Sequence, residues 1–439
     1  MVETCGTRCY LNRMSKSKQE DNAMSFGRLT KLALLALLVI AALPLAAQDD
    51  QINMTMWVRT ISFQTQALVD EWNANNDSQI ELTVIPSGEF VTKMGAAIAA
   101  GEPPDIASID LIYTPAFSSA GQLVDITEWV RALPYADDLT PAHMELGMYE
   151  GRNYAVPTAV DGSFIIYNVD LFEQAGLDPD NPPSTWGEML DAMRAIDALG
   201  DDIYGYWYSL GCAGCNAFTF LPFIWASGGD VLSDDYSEAT ITSDPIVRES
   251  LEFYNAIWEE GLVPEGASID NGSNFTNAFA GGNIGMAGTG NFSLSRYKNE
   301  FPDIHFDLFH IPGKDGGTAS FGGGDVIAIP AGTEHAEEAW RFIEWTLTEG
   351  PQIDIYAANG QIPVRLSLAD NEYSREDPRF VTSGSALSVG HTPYTVVYND
   401  LFNDPNGPWL EMLQVGILDG DIDGALELGQ ERFTQIMEG

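Results

Sequence analysis

Residues 154–168 read YAVPTAVDGSFIIYN. One ionisable carboxylate, Asp161, stands between two runs of apolar and aromatic residues. A carboxylate there is either satisfied locally in a turn or is an acid at the edge of a ligand cleft. The segment continues as VDLFEQAGLDPDNPPSTWGEM through residue 189. Pro182-Pro183 followed by Ser184-Thr185-Trp186-Gly187-Glu188 predicts a capped helix start, with the helix running to about Leu199.

Upstream of this stretch, strands and helices alternate. Ile52–Val58 reads as a strand that empties into Arg59, and Ile80–Ile85 as a second. Glu89–Ala100 reads as a helix stopped by Gly101 and Pro103-Pro104. Ile106–Ile109 is a short apolar strand ending at Asp110. This alternation predicts an α/β architecture with parallel strands. Ligands of such sheets bind beyond the carboxyl ends of strands, where Arg59 and Asp110 both fall. Downstream, a helix begins at Asp244-Pro245, Ile304–Phe309 alternates as a strand, and Val326–Ile329 is a buried strand after Gly322–Gly324. That glycine run is either a close approach of backbone to ligand or a plain turn. Thr333–Leu347 reads as a helix. No repeat or long linker interrupts the chain, so two interleaved lobes fit better than separate beads.

The chain has 439 residues, 45% of them hydrophobic, enough for a sizeable core. Leu32–Leu45 is apolar, preceded by Arg28 and Lys31 and followed by Ala46-Ala47, the layout of a secretory signal. Residues 1–47 are therefore expected to be a cleaved signal peptide, with Met24 an alternative start and no lipid-anchor Cys after the apolar run. Removing residues 1–48 takes away three acids and six bases, which moves the net charge from −44 to −47. Such a chain repels nucleic-acid phosphates, which argues against a nucleic-acid partner. Lys93, Lys298 and Lys314 are the lysines that remain. This surface suits a saline medium that screens self-repulsion, or is simply that of an acidic secreted protein; melting temperature against salt separates the two.

Cys212 and Cys215, in GCAGCN, read first as a local disulfide in an oxidising compartment. Asp419–Gln430 nearly matches a calcium loop but has Gln430 where a bidentate Glu is required, and reads instead as an acidic helix cap; no metal site is expected. The five histidines form no metal-ligand spacing, and Ser295–Lys298 matches SxxK without that motif's partners. No phosphate loop, nucleophile elbow or dinucleotide fingerprint occurs, so no cofactor is expected. Aromatics are the more informative class. Trp57, Tyr113, Tyr206, Trp207, Phe218, Phe220, Trp225, Phe292 and Tyr394 fall at predicted strand ends and loops. Each taken alone reads first as core. As a set they suit a sugar site, with rings stacking on pyranose faces and Asp161, Arg59, Asp110 and Asn216 bonding hydroxyls.

Several segments together resemble one family. AAIAAGEPPDIASID (96–110) and AGQLVDIT (120–127) resemble its helix, turn and strand. Residues 154–189 resemble its most specific stretch. FAGGNIGMAGTGNF (279–292), FGGGDVIAIP (321–330), EEAWRFIEW (337–345) and GQIPVR (360–365) follow in order. The chain is similar to the family 1 extracellular solute-binding proteins of ABC importers, the maltose-binding-protein-like group. The resemblance implies two α/β lobes joined by hinge segments: residues 48–159 with 318–368, and 160–317 with 369–439. It implies no enzymatic activity, a monomer, a periplasmic or other extracytoplasmic location, and a membrane permease as partner. It places Asp161 where a sugar-binding glutamate stands, and Asn216 and Phe218 where an acid and a stacking tyrosine stand. Phe292 takes the place of a stacking tryptophan. Gly323, Gly324 and Asp325 match a loop that faces ligand, Arg59 stands after the first strand where polar contacts fall, and Tyr394 is a looser match; Trp57, Asp110, Tyr113 and Arg365 are candidate contacts from residue type and position alone. The ligand implied is a sugar or oligosaccharide. A glycerol phosphodiester, polyamine or metal complex is the alternative, and a secreted glycoside hydrolase or adhesin a remote one.

Overall fold

The computed structural model of the protein describes residues 51–59 and 63–439. The segment expected to be a signal peptide, with Cys5 and Cys9, lies outside the described residues. The principal strands are β1 (Asn53–Val58), β2 (Gln79–Val84), β3 (Ile106–Asp110), β4 (Ala155–Asn168), β5 (Tyr204–Trp207), β6 (Ile284–Gly290), β7 (Phe306–Phe309) and β8 (Thr318–Ala328). The longer helices are α1 (Phe63–Asn75), α2 (Ser87–Ala100), α3 (Trp186–Asp197), α4 (Ala213–Ala226), α5 (Pro245–Glu259), α6 (Asn291–Glu300), α7 (Ala336–Thr346), α8 (Pro378–Ala386), α9 (Pro408–Ile417) and α10 (Ile422–Glu438).

The strands form one sheet in the order β2-β1-β3-β8-β4-β6-β5, with β7 also paired to β4. In the first half, β1 pairs with β2 and with β3 in parallel. The second half pairs β5 and β6 in parallel. Two long strands carry the chain between them. β4 pairs with β8 as far as Gly162 and with β6 from Ser163 onward. The fold is thus α/β and two-lobed, and Asp161 lies where β4 changes partners.

The glycine run is not a loop or a turn. Gly322, Gly323 and Gly324 lie inside β8, opposite Gly162, Asp161 and Val160. The register shifts between Asp325 and Val326, opposite Pro157, whose ring nitrogen has no N–H to offer a ladder. Gly324 has φ +111°, and a Cβ there would fall 2.0 Å from the Ala159 carbonyl oxygen. Only glycine allows this approach of β8 to β4.

Local signals set the helix ends. The Thr185 hydroxyl accepts from Glu188 N at 3.2 Å, while the Glu188 carboxylate accepts from Ser184 N at 2.8 Å. Gly101, with φ 76°, closes α2 in a left-handed cap. Asp244 caps α5 ahead of Pro245. Asp421 caps α10, accepting from Gly424 N at 3.0 Å, and Asp423 pairs with Arg248. Those acids serve the helix start, and Gln430 bonds Thr242. Among the described residues no group of three or more metal-ligating side chains converges, and no helix is long and apolar enough to cross a membrane.

One buried cluster packs α1, β1 and α7, with Trp72 set edge-on to Phe342 at 5.4 Å. The larger cluster runs from α2 and β3 through β4 to α3, α4, α5 and α9. Tyr206 and Phe220 belong to it, about 1% exposed, as does Trp207 at 8%. Those aromatics are core.

Candidate functional site

β1 ends at Val58, and Arg59 follows it. The guanidinium reaches two carboxylates. Its Nη1 lies 3.1 Å from Asp110, the last residue of β3, and its Nη2 lies 2.6 Å from Asp325 in β8. Arg59 Nε also donates to Asp325, at 2.7 Å. Ser108 Oγ donates to the other Asp325 oxygen at 3.0 Å. Burial by itself would lower the Arg59 pKa, but Asp110 and Asp325 together outweigh it, so the cation is held firmly protonated. Burial raises the Asp110 carboxyl to about 6 against the pull of Arg59. Behind this cluster His143 Nε2 donates to the Gly323 carbonyl at 2.8 Å. Burial lowers the His143 pKa to about 4, so its ring is neutral at pH 7.

Asp161 faces the start of α6. Its Oδ1 accepts from Asn291 N at 2.6 Å, and the backbone N–H groups of Phe292 and Gly162 also favour its charge. Burial nonetheless raises its pKa to about 7, with Arg59 close enough to oppose the rise. The acid is therefore bonded to a helix N-terminus, a partner the sequence did not reveal. The Asn291 side chain is buried beside it, and neither of its polar atoms has a hydrogen-bond partner in the structure.

Aromatic rings lie against these acids. A Cβ on Gly290 would fall 2.7 Å from Asp161 Oδ1 and 2.8 Å from Phe218 Cζ, so acid and ring flank that glycine. Phe218 sits 6.2 Å from Phe292, which in turn stacks on Phe275 at 6.1 Å. Phe292 is 47% exposed, unusual for a phenylalanine and free to offer a face. Gly323 leaves room for the Phe218 ring, 2.9 Å from where its Cβ would be. Tyr113 follows Asp110, and its hydroxyl contacts Asn399 and Asn403, each at 3.4 Å.

The structure thus gathers Arg59, Asp110, Tyr113, Asp161, Phe218, Phe292, Gly323, Gly324 and Asp325. Trp57 is half-buried and packs on the larger core cluster. Three residues fall elsewhere. Asn216 is 2% exposed, and its amide nitrogen donates to the carbonyls of Ser209 and Cys212 at 2.9 and 2.7 Å. It holds the first turn of α4, because α4 turns that position inward. Arg365 pairs with Asp138 at 3.0 Å and lies over the Tyr135 ring at 4.3 Å. Tyr394 donates to the Met148 carbonyl at 2.8 Å. Asn216→Ala and Arg365→Met are accordingly expected to lower unfolding free energy by about 1–2 kcal/mol in urea titrations while leaving ligand affinity unchanged. A tenfold affinity loss in either would return that residue to the site.

Ser108, His143, Phe275, Asn291, Asn399 and Asn403 were not anticipated. The sequence held one usable signal: Ser108 lies two residues before Asp110 in β3, hence on the same strand face.

The model for bacterial extracellular solute-binding proteins matches residues 64–353. The chain belongs to that family. A diacetylchitobiose binding protein of Streptomyces coelicolor is 24% identical over 366 residues, spanning 81% of this chain and 83% of its own. A maltotriose-binding protein of Pyrococcus abyssi is 24% identical over 385 residues, 85% of this chain and 79% of its own. Among solved structures, a cyclic alpha-maltosyl-1,6-maltose binding protein of Arthrobacter globiformis superposes with a TM-score of 0.75 at 24% identity, covering 88% of this chain and 99% of its own.

Proposed function

We propose that the chain is the extracytoplasmic substrate-binding component of an ABC importer, and that it captures a sugar or oligosaccharide between its two lobes. The observation that carries this reading is the Phe218 ring flanking the same glycine as Asp161, with the exposed Phe292 ring 6.2 Å from Phe218. An aromatic face beside hydrogen-bonding acids suits a pyranose, which has an apolar face and a rim of hydroxyls. The relatives named for diacetylchitobiose and maltotriose support the same class. An anionic ligand is disfavoured, since Arg59 is already shared by two carboxylates.

Residues 48–159 with 318–368 form one lobe in this reading, and 160–317 with 369–439 the other. Closure about the crossing strands shifts an open–closed equilibrium by the difference in ligand affinity between the two states. The closed form is the one a membrane permease recognises, and the ligand leaves chemically unchanged. The protein acts as a monomer after removal of its signal segment.

A thermal-shift screen of residues 48–439 against mono- and disaccharides, maltodextrins, chitobiose derivatives, glycerol phosphates and polyamines tests this. A sugar at a hundredfold its Kd adds about 2.7 kcal/mol, enough to raise Tm visibly. A shift confined to phosphates or polyamines would overturn the substrate class.

A further inference from the structure

The disulfide sits at the start of the helix that carries Phe218. Cys212 and Cys215 are joined, with Cα atoms 5.3 Å apart, and Cys215 N donates to Cys212 Sγ at 3.2 Å. Two contacts fix this turn in space. Gly272 lies against it, so that a Cβ there would meet both sulfurs at 3.0 Å. The loop carrying Gly272 is itself tethered through Asp270, which accepts from Ser209 Oγ at 2.5 Å and from Asn274 N at 3.2 Å. Gly214, inside the disulfide loop, faces the opposite way. A Cβ there would fall 2.6 Å from Asn403 Oδ1, while Asn403 Nδ2 donates to the Tyr113 hydroxyl at 3.4 Å. Tyr113 belongs to the β3 end of the sheet, next to Asp110. The closed turn therefore touches the Asn403–Tyr113 contact and also starts the helix that places Phe218 beside Asp161.

We propose that the Cys212–Cys215 disulfide is a positioning element of the ligand site, setting both the Phe218 ring and the Asn403–Tyr113 contact. The inference rests on the sugar-binding reading for its consequence, but not for its geometry. With the bond open, the turn at residues 212–215 gains backbone freedom, Gly214 no longer abuts Asn403, and Phe218 loses its fixed aim. The core of the fold does not depend on it, because β4, β6 and β8 pair without it.

The test compares oxidised protein with protein treated with dithiothreitol, which gives two electrons and two protons to the disulfide and closes to its own cyclic disulfide. The Cys212→Ser/Cys215→Ser double variant serves as a reductant-free control. Amide hydrogen exchange is read first. Opening the bond is expected to speed exchange at residues 212–219 and also at 399–403, with β4 and β8 unchanged. Unchanged exchange at 399–403 overturns the inference, as does equal acceleration across the whole sheet, which would make the disulfide a general stabiliser. Affinity is read second, by titration with maltotriose and with diacetylchitobiose. A loss of about fivefold to tenfold on reduction, restored by reoxidation, is expected for a misaimed stacking ring. Equal affinity in both states overturns the inference. If the oxidised protein binds neither sugar, it is the substrate assignment that fails, and the exchange pattern still decides the positioning role.

Discussion

Arg59→Met is expected to lower the unfolding free energy by about 3 kcal/mol at pH 8, and by much less at pH 4.5. The substitution removes the cation shared by Asp110 and Asp325 and leaves two carboxylates close together with little solvent around them. The sign of the pH dependence follows from Asp110. Its folded pKa, raised by burial to about 6, lies above the ordinary aspartate value. The folded state then holds a proton that the unfolded state releases, so the contribution of Asp110 to stability is fully present at low pH and is lost as pH rises through 6. Without Arg59 the folded pKa rises further and the loss extends above pH 7. Urea titrations at the two pH values measure this. An equal loss at both would mean that the ion pairs carry no charge-dependent energy and that the substitution acts through packing alone.

Asp161→Asn should separate binding from stability. Asp161 has a folded pKa near 7 through burial, so its ionisation opposes folding between about pH 4 and pH 7. The asparagine keeps an oxygen to accept from Asn291 N and carries no charge. The variant is expected to be more stable than the parent by about 1–2 kcal/mol at pH 8, with a flatter stability profile between pH 4 and 7. Sugar affinity moves the other way, falling about tenfold to a hundredfold, because the carboxylate is a stronger acceptor for ligand hydroxyls than an amide. Calorimetric titration with the sugar identified in the thermal screen measures the second effect. A variant both less stable and unaltered in affinity would make Asp161 a helix cap and nothing more.

The two behaviours of Asp161 mark how far the sequence could be read. Its place at a strand crossing was legible, because the alternation of strands and helices and the resemblance of residues 154–189 fix where β4 lies. So was the arrival of Arg59 and Asp110 at neighbouring strand ends. That Asp325 pairs with Arg59 was not, although the resemblance implies that Asp325 faces ligand. Asp325 lies more than two hundred residues from both in sequence, and only the pairing of β8 with β3 brings it there. The helix N-terminus in front of Asp161 was hidden in the same way, since Asn291 approaches through β6. Asn216 shows the opposite failure. Its alignment with a ligand-binding acid was sound as a sequence match, but an amide there satisfies two backbone carbonyls and turns inward. Of the two readings the glycine run allowed, a plain turn is excluded, because the three residues lie inside β8. In β8 they serve close packing against Ala159 and the Phe218 ring.

The position of β8 also bears on how the chain reaches its native state. β8 lies between β3 and β4 in the sheet, yet it is formed by residues 318–328. Among the described residues no earlier strand fills that gap, so β3 and β4 must wait for a segment synthesised long after both. Pairings such as Asp161 with Gly323 close loops of great sequence separation, the topology that slows folding. The nascent protein therefore remains open at the centre of its sheet until three-quarters of its length is available, and its commitment to a native structure is a late event.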